Sequence, residues 1–308
     1  MAKLSDRILG ERVSGYVTKP NLLDNSNFQI HQRGTSFSGQ TSSQFLSDRW
    51  NIGLTGGVVS TSAINNNSFP DSDSRYEQLF RNQTGVGTVQ VQQKLAAIAK
   101  TFPSSGQLTL SFWARSGVNA TTTVTPSINI VTDDGSSFIQ GVAEALTATP
   151  RLITWTFDAF DWKGANTSDD SYQNVRFTMG TDAADMILAD IKLEEGNTFT
   201  GYEPTPYAID ETECMKWYQV PFDTTSIAPF YANIYRSAGA AGAQDHVINV
   251  QIRPKMYAVP LVVDETYVGS VAPDSVQTNR NSMRVLWINT ASPTAEVGVD
   301  NLALSCEL

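Results

Sequence analysis

The sequence predicts an all-β fold: an N-terminal arm, a β-sandwich of jelly-roll type and a smaller C-terminal β-sandwich domain. Apolar residues recur with a period of two in Leu108–Ala114, Ile128–Ile130, Ile153–Phe157 and Val175–Met179, the spacing of strands with one buried face. Runs of Gly, Ser, Thr and Asn separate them, as turns do. At least seven such strands fit between Asn21 and Tyr207, a spacing that suits a sandwich or jelly roll and not a βαβ fold.

The arm comes first. Leu4, Ile8, Leu9 and Val13 share one stripe of a short helix that Gly15 and Pro20 bound. So short a helix is not stable alone, so either a neighbouring subunit or partner orders it or the segment is a frayed terminus outside the fold. Across Asn21–Trp50, Phe28, Ile30, Phe37 and Phe45 stand between turn residues and predict short strands. Gln90–Lys100 starts with strict alternation and continues with helix formers, reading as a strand running into a helical turn. In Leu108–Ser116, Leu108, Leu110, Phe112 and Ala114 face the core, while Trp113 and Arg115 occupy the opposite surface. Ile187–Leu193 supplies the closing strand. GYEPTPYAID, at 201–210, closes the first domain as a rigid boundary, so the division runs 1–20, 21–210 and 211–308. Glu211–Val220 is an edge strand or helical turn entering the last domain. Tyr231–Tyr235, His246–Ile252, Ala258–Val263, Met283–Asn289 and Val297–Leu304 follow as β-like runs, and SAGAAGAQD, at 237–245, reads as a mobile loop between two of them.

Composition narrows the function. Lys and Arg number 21 against 31 Asp and Glu, a formal charge of -10, which argues against a nucleic-acid partner. No segment has membrane-spanning length and the opening residues lack a secretion signal, so no membrane insertion is expected. Cys214 and Cys306 are the only cysteines and are expected to be buried free thiols. His31 and His246 offer no zinc pattern, there is no GxSxG elbow, and TGVGT at 84–88 lacks the lysine of a phosphate loop. No catalytic constellation emerges, and the chain is expected not to be an enzyme.

NLLDNSNFQIHQRG followed by FLSDRW, then FWARS, ILADIKLEEG and TGYEPTPY, together resemble the signatures of bacteriophage tail-fibre and appendage proteins that carry a carbohydrate-binding-like jelly roll. ETECMKWY and VINVQIRPKMYAVPLVV extend the resemblance into the last domain, so it covers roughly Asn21–Leu308. Lys216-Trp217 and Lys255-Met256-Tyr257 depart from the family's pattern. The resemblance implies a structural tail-fibre or appendage subunit located in the virion. It implies a homotrimer that contacts other tail or virion proteins through Leu4, Ile8 and Val13, and recognition of a host-surface glycan. A symmetric oligomer would also cover strand edges that a single subunit leaves open. The competing readings are a purely structural tail adaptor, a binding module outside a virion, and a glycan-depolymerising enzyme.

Sugar recognition needs an apolar ring surface and polar groups that read hydroxyls. Trp162 and Tyr172, in or beside polar loops, Trp113 with Arg115, and Tyr267 in the ETYVGS turn are the candidates. Trp155, alternating with Ile153 and Phe157, reads as core. The resemblance also implies a structural calcium, with Asp24 and Asp190 near the opening and closing strands as its ligands. Apart from that, no cofactor is expected. The carboxylate clusters at 71–77, 133–134 and 169–170 match no calcium-loop pattern.

Overall fold

A computed structural model describes residues 21–41, 44–65, 69, 76–83, 87–96, 105–117, 122–161, 165–167, 171–180, 183–222, 237–238, 244–251, 261–268, 275–279, 282–290 and 298–305, with side chains up to residue 217 apart from those of residues 44, 46, 47, 65 and 96. The arm residues Leu4, Ile8 and Val13, and the run Tyr231–Tyr235, lie outside the described residues.

Alternation produces two antiparallel sheets. The first has the order β1 (Ser36–Gln40), β4 (Val59–Asn65), β5 (Tyr76–Asn82), β13 (Asp185–Glu195), β7 (Gln107–Ser116) and β11 (Arg151–Asp158). The second runs β10 (Glu144–Leu146), β8 (Thr122–Thr132), β12 (Tyr172–Met179), β6 (Val89–Ala96), β3 (Trp50–Leu54) and β2 (Gln44–Ser47), with β9 (Gly135–Gln140) also paired to β8. Neighbours in space are distant in sequence, as expected of a sandwich whose strands cross between sheets.

The apolar faces meet in one core. Leu108, Leu110, Phe112 and Ala114 of β7 are at most 1% exposed, as are Val175, Phe177 and Met179 of β12. Phe112 and Phe177 bring the sheets into contact edge to face, 4.8 Å between centroids at 70°. Burying each such ring contributes roughly 1.5–3 kcal/mol. Trp155 joins this side: its ring lies 4.7 Å from that of Phe157, and Gly141 leaves room between it and Pro126.

Phe28 and Ile30 are not in strands. Residues 21–35 form a buried turn-rich segment in which Asn25 and Phe28 adopt left-handed φ of 45° and 53°. Its polar side chains do what a strand ladder would have done: Asn21 Oδ1 accepts from the backbone of Leu23 and Leu193, and Asn21 Nδ2 donates to Ile191 O. Phe28 is fully buried, edge-on to Phe80 at 6.2 Å. A bulge in β13 between Ala189 and Lys192, with Asp190 at φ 48°, frees the Ile191 amide to donate to Ser26 O.

The chain forms two compact units. One holds the described residues through Phe28 with Ser36–Gln44 and Ile52–Pro204; the other holds Gln29–Thr35, Phe45–Asn51 and Thr205–Leu308. The second therefore takes in two short pieces that a division after residue 210 would leave in the first. It opens with α1 (Tyr207–Met215) and then β14 (Tyr218–Phe222), so Glu211–Val220 is helix followed by strand. β14, β20 (Gly298–Ser305) and β17 (Leu261–Val268) form one sheet, and β15 (Ser237–Ala238), β16 (Gln244–Gln251), β19 (Ser282–Thr290) and β18 (Ser275–Asn279) form another. The ends of SAGAAGAQD pair with each other, Ser237 with Asp245 and Ala238 with Gln244, giving a hairpin where a free loop was expected.

Candidate functional site

The outer side of the second sheet is mostly polar. Because Val124, Ile128 and Ile130 of β8 and Val175, Phe177 and Met179 of β12 point inward, alternation sends Thr125, Ser127, Asn129, Tyr172, Asn174, Arg176 and Thr178 outward. Registry stacks them into rows. Asn174 stands between Asn129 and Lys94, and Arg176 between Ser127 and Gln92. Across β9, Phe138 lies opposite Asn129, so the first row ends in an aromatic ring that is 53% exposed.

Within these rows Arg176 Nε donates to Gln92 Oε1 at 3.2 Å, and Lys94 Nζ lies 4.4 Å from the centroid of the Tyr172 ring. Asn174 and Ser127 are buried, 3% and 1% exposed, yet Asn174 Oδ1 and Ser127 Oγ have no hydrogen-bond partner among the described residues. Such atoms are costly to leave unsatisfied. Burial holds both cations below their ordinary pKa, with Tyr172 opposing the shift at Arg176.

The lysine shift has a stability consequence. A cation whose folded pKa is depressed destabilises the fold fully below that pKa. The penalty disappears as pH rises through it towards the ordinary value of 10.5. Lys94→Met is therefore expected to raise the melting temperature at neutral pH, with the advantage shrinking as pH climbs towards that value. Thermal melts across a pH series check this.

The sequence candidates do not converge. Tyr172 belongs to the face just described. Trp113 and Arg115 lie on the outer side of the first sheet, as their alternation predicts, and there they are engaged internally. Trp113 packs 5.9 Å from Phe69 in a small apolar cluster with Ile187 and Ala189. Arg115 donates to Glu77 at 3.1 Å and lies 5.8 Å from the Phe69 ring. Trp162 is outside the described residues. Tyr267 falls in strand β17, opposite Val299, instead of a turn. Asp24 and Asp190 are both buried in segments that the Ile191-to-Ser26 hydrogen bond holds together. Among the described residues no three His, Cys, Asp or Glu side chains group to hold a metal, so a calcium there would draw most of its shell from amide and backbone oxygens, which are suitable hard donors.

A cleft of about 430 Å³ lies by the β8–β9 turn, lined by Ile130, Thr132, Asp134, Ser137, Phe160 and Asp161 among others. Asp134 there accepts from the Asn166 amide at 2.5 Å, closing the loop after β11 onto this turn.

The strongest sequence signatures have a structural role. Inside the second unit, Asp48 accepts hydrogen bonds from Gln32 N and Arg33 Nη1, and Gln29 donates to Thr205 O and Asp210. Arg49, 1% exposed, lies over the Trp217 ring at 3.8 Å. QIHQRG, FLSDRW, the segment after TGYEP and ETECMKWY are thus parts of one clasp within the second unit. Cys214 within it is buried and forms no disulfide among the described residues. No described helix is long and apolar enough to cross a membrane.

No family model matches the chain, and no curated protein matches it. Solved structures give weak similarities. The enzymatically active domain of tailspike protein 4 from bacteriophage CBA120 is 13% identical over 57% of this chain and 21% of that one, with a TM-score of 0.39. A xylan-binding domain of family 22 from Paenibacillus barcinonensis is 10% identical over 58% and 96%, TM-score 0.36. A family 11 carbohydrate-binding module from Clostridium thermocellum is 14% identical over 52% and 99%, TM-score 0.35. The match spans about a fifth of the tailspike chain. Each likeness is distant.

Proposed function

We propose that this protein is a non-enzymatic, glycan-binding structural subunit of a tailed-phage appendage, assembled as a symmetric oligomer, a trimer by the sequence resemblance, in the virion. The observation that carries the binding half is the outward face of β8, β12 and β6. It combines an exposed ring, Phe138, with a row of amides and two buried polar atoms whose hydrogen-bonding capacity is unused. Stacking surface beside hydroxyl-reading groups is the division of labour that polar ligand sites use. The virion half rests on the appendage-like signatures, of which FLSDRW and ETECMKWY contribute to the clasp in the second unit.

Phe138→Ala and Asn174→Ala are each expected to weaken binding to a host surface polysaccharide at least about tenfold, equivalent to 1.4 kcal/mol. Phe138→Ala should do so with an unchanged melting temperature, because its ring is mostly in water. Isothermal titration of the purified chain against bacterial surface polysaccharides measures this, with reducing-end release assayed alongside. Failure to bind any of them, with the sheet face covered by neighbouring proteins in cryo-electron microscopy of the particle, would favour the adaptor. Release of reducing ends would make the protein a depolymerase.

A further inference from the structure

We infer that the ligand of the β8–β12–β6 face is an anionic saccharide, one bearing carboxylate or phosphate groups; this rests on the glycan-binding reading and specifies it. The chain has 31 carboxylate residues against 21 cationic ones, yet β3, β6, β8, β9 and β12 contain no Asp or Glu at all. Their two charged residues are Lys94 and Arg176, on adjacent strands of the same outward face. An acidic protein has kept acid off these five strands; elsewhere in the sheet β10 carries one carboxylate, Glu144, and Arg151 of the first sheet pairs with it.

The first sheet shows the contrast. Arg81 pairs with Asp185 at 2.7 Å, Arg115 with Glu77 at 3.1 Å and Lys192 with Glu194 at 2.9 Å, while Arg151 of β11 pairs with Glu144 at 2.6 Å. Arg176 instead bonds through Nε to an amide, Gln92, and has no carboxylate partner among the described residues. Its bond to Gln92 fixes the guanidinium plane, and a planar fork held in place suits the two oxygens of a carboxylate or phosphate. Partial burial disfavours the charged forms of Arg176 and Lys94, a cost that an incoming anion would offset. Ser127, opposite Arg176, and Asn174, opposite Lys94, each keep a buried oxygen without a hydrogen-bond partner among the described residues on the same two rows. A neutral sugar would use the amides but offer the guanidinium of Arg176 no anion.

The test uses the full chain on an array of bacterial capsular and O-antigen polysaccharides, with each acidic polymer printed beside its carboxyl-reduced and its dephosphorylated form. Binding is expected to acidic polymers and to fall as sodium chloride is raised. Loss on carboxyl reduction identifies a uronate-type acid; loss on dephosphorylation identifies a phosphate-bearing polymer. R176Q should weaken that binding at least tenfold without lowering the melting temperature, and R176K, which keeps the charge without the fork, should restore part of it. Equal binding to neutral and treated polymers would overturn the inference while leaving glycan binding intact. No binding to any polymer would overturn both.

Discussion

Asp48→Ala is expected to destabilise the second unit by about 3–5 kcal/mol, a large part of the 5–15 kcal/mol that a domain has in total. The Asp48 side chain is 1% exposed and its partner Arg33 is 11% exposed. The carboxylate accepts the Gln32 amide at 2.5 Å and Arg33 Nη1 at 3.0 Å. Truncation would leave a guanidinium and an amide with little access to water. The adjoining residue raises the stakes: Arg49 sits at φ 70° in the turn between β2 and β3, and its position over Trp217 depends on that turn. Asp48→Asn, which keeps an acceptor oxygen, should cost about half as much or less, since it removes the charge but not every hydrogen bond. Urea denaturation of the two variants against wild type measures both. An Asp48→Ala midpoint equal to wild type would show that the clasp does not hold this unit together.

Lys192→Ala should destabilise the first unit by a similar amount, about 3–5 kcal/mol. Lys192 and Glu194 form an ion pair at 2.9 Å with side chains 6% and 8% exposed. The ammonium also donates to Thr200 Oγ1 at 2.6 Å and to Gly201 O at 2.7 Å. Glu194 accepts from Thr200 N and Thr200 Oγ1. The pair thus fastens the segment after β13 onto the strand. Alanine would leave a buried carboxylate facing a cavity and a carbonyl without its donor. Replacing both charges, as Lys192→Met with Glu194→Leu, is expected to recover most of the loss, because desolvation and attraction nearly cancel in a buried pair. A double-mutant cycle by thermal denaturation checks this, and full additivity of the two single changes would contradict it.

Part of this architecture is legible in the sequence. Period-two alternation in β7, β8, β11 and β12 names their core residues correctly, because a strand buried on one face has no other way to arrange its side chains. The runs of the last domain, from His246 and from Met283, likewise mark β16 and β19. The turn-rich opening was less readable: Phe28 and Ile30 look like strand residues, but the hydrogen bonds of Asn21 to Leu193 and Ile191 come from residues about 170 positions away. The candidate face was also missed as a site apart from Tyr172. The same alternation that identifies Val175, Phe177 and Met179 as core leaves Asn174 and Arg176 as unremarkable outward residues until β6 and β9 are laid beside them. One signal was available, namely that these strands lack Asp and Glu in an acidic chain.

By itself, the sequence determined the class of fold, the inward-facing half of most strands in the first sandwich and the absence of a local catalytic motif, since each depends on spacing along a single segment. Only the tertiary structure decided which strands are neighbours. That pairing separates Trp113 and Arg115 from Tyr172 on different sheets, gathers Lys94, Asn174, Arg176 and Phe138 on one face, and turns FLSDRW and ETECMKWY into a single buried cluster. Strand pairing is set by the summed packing of whole sheets and by hydrogen bonds between distant segments, quantities that no local run of residues encodes.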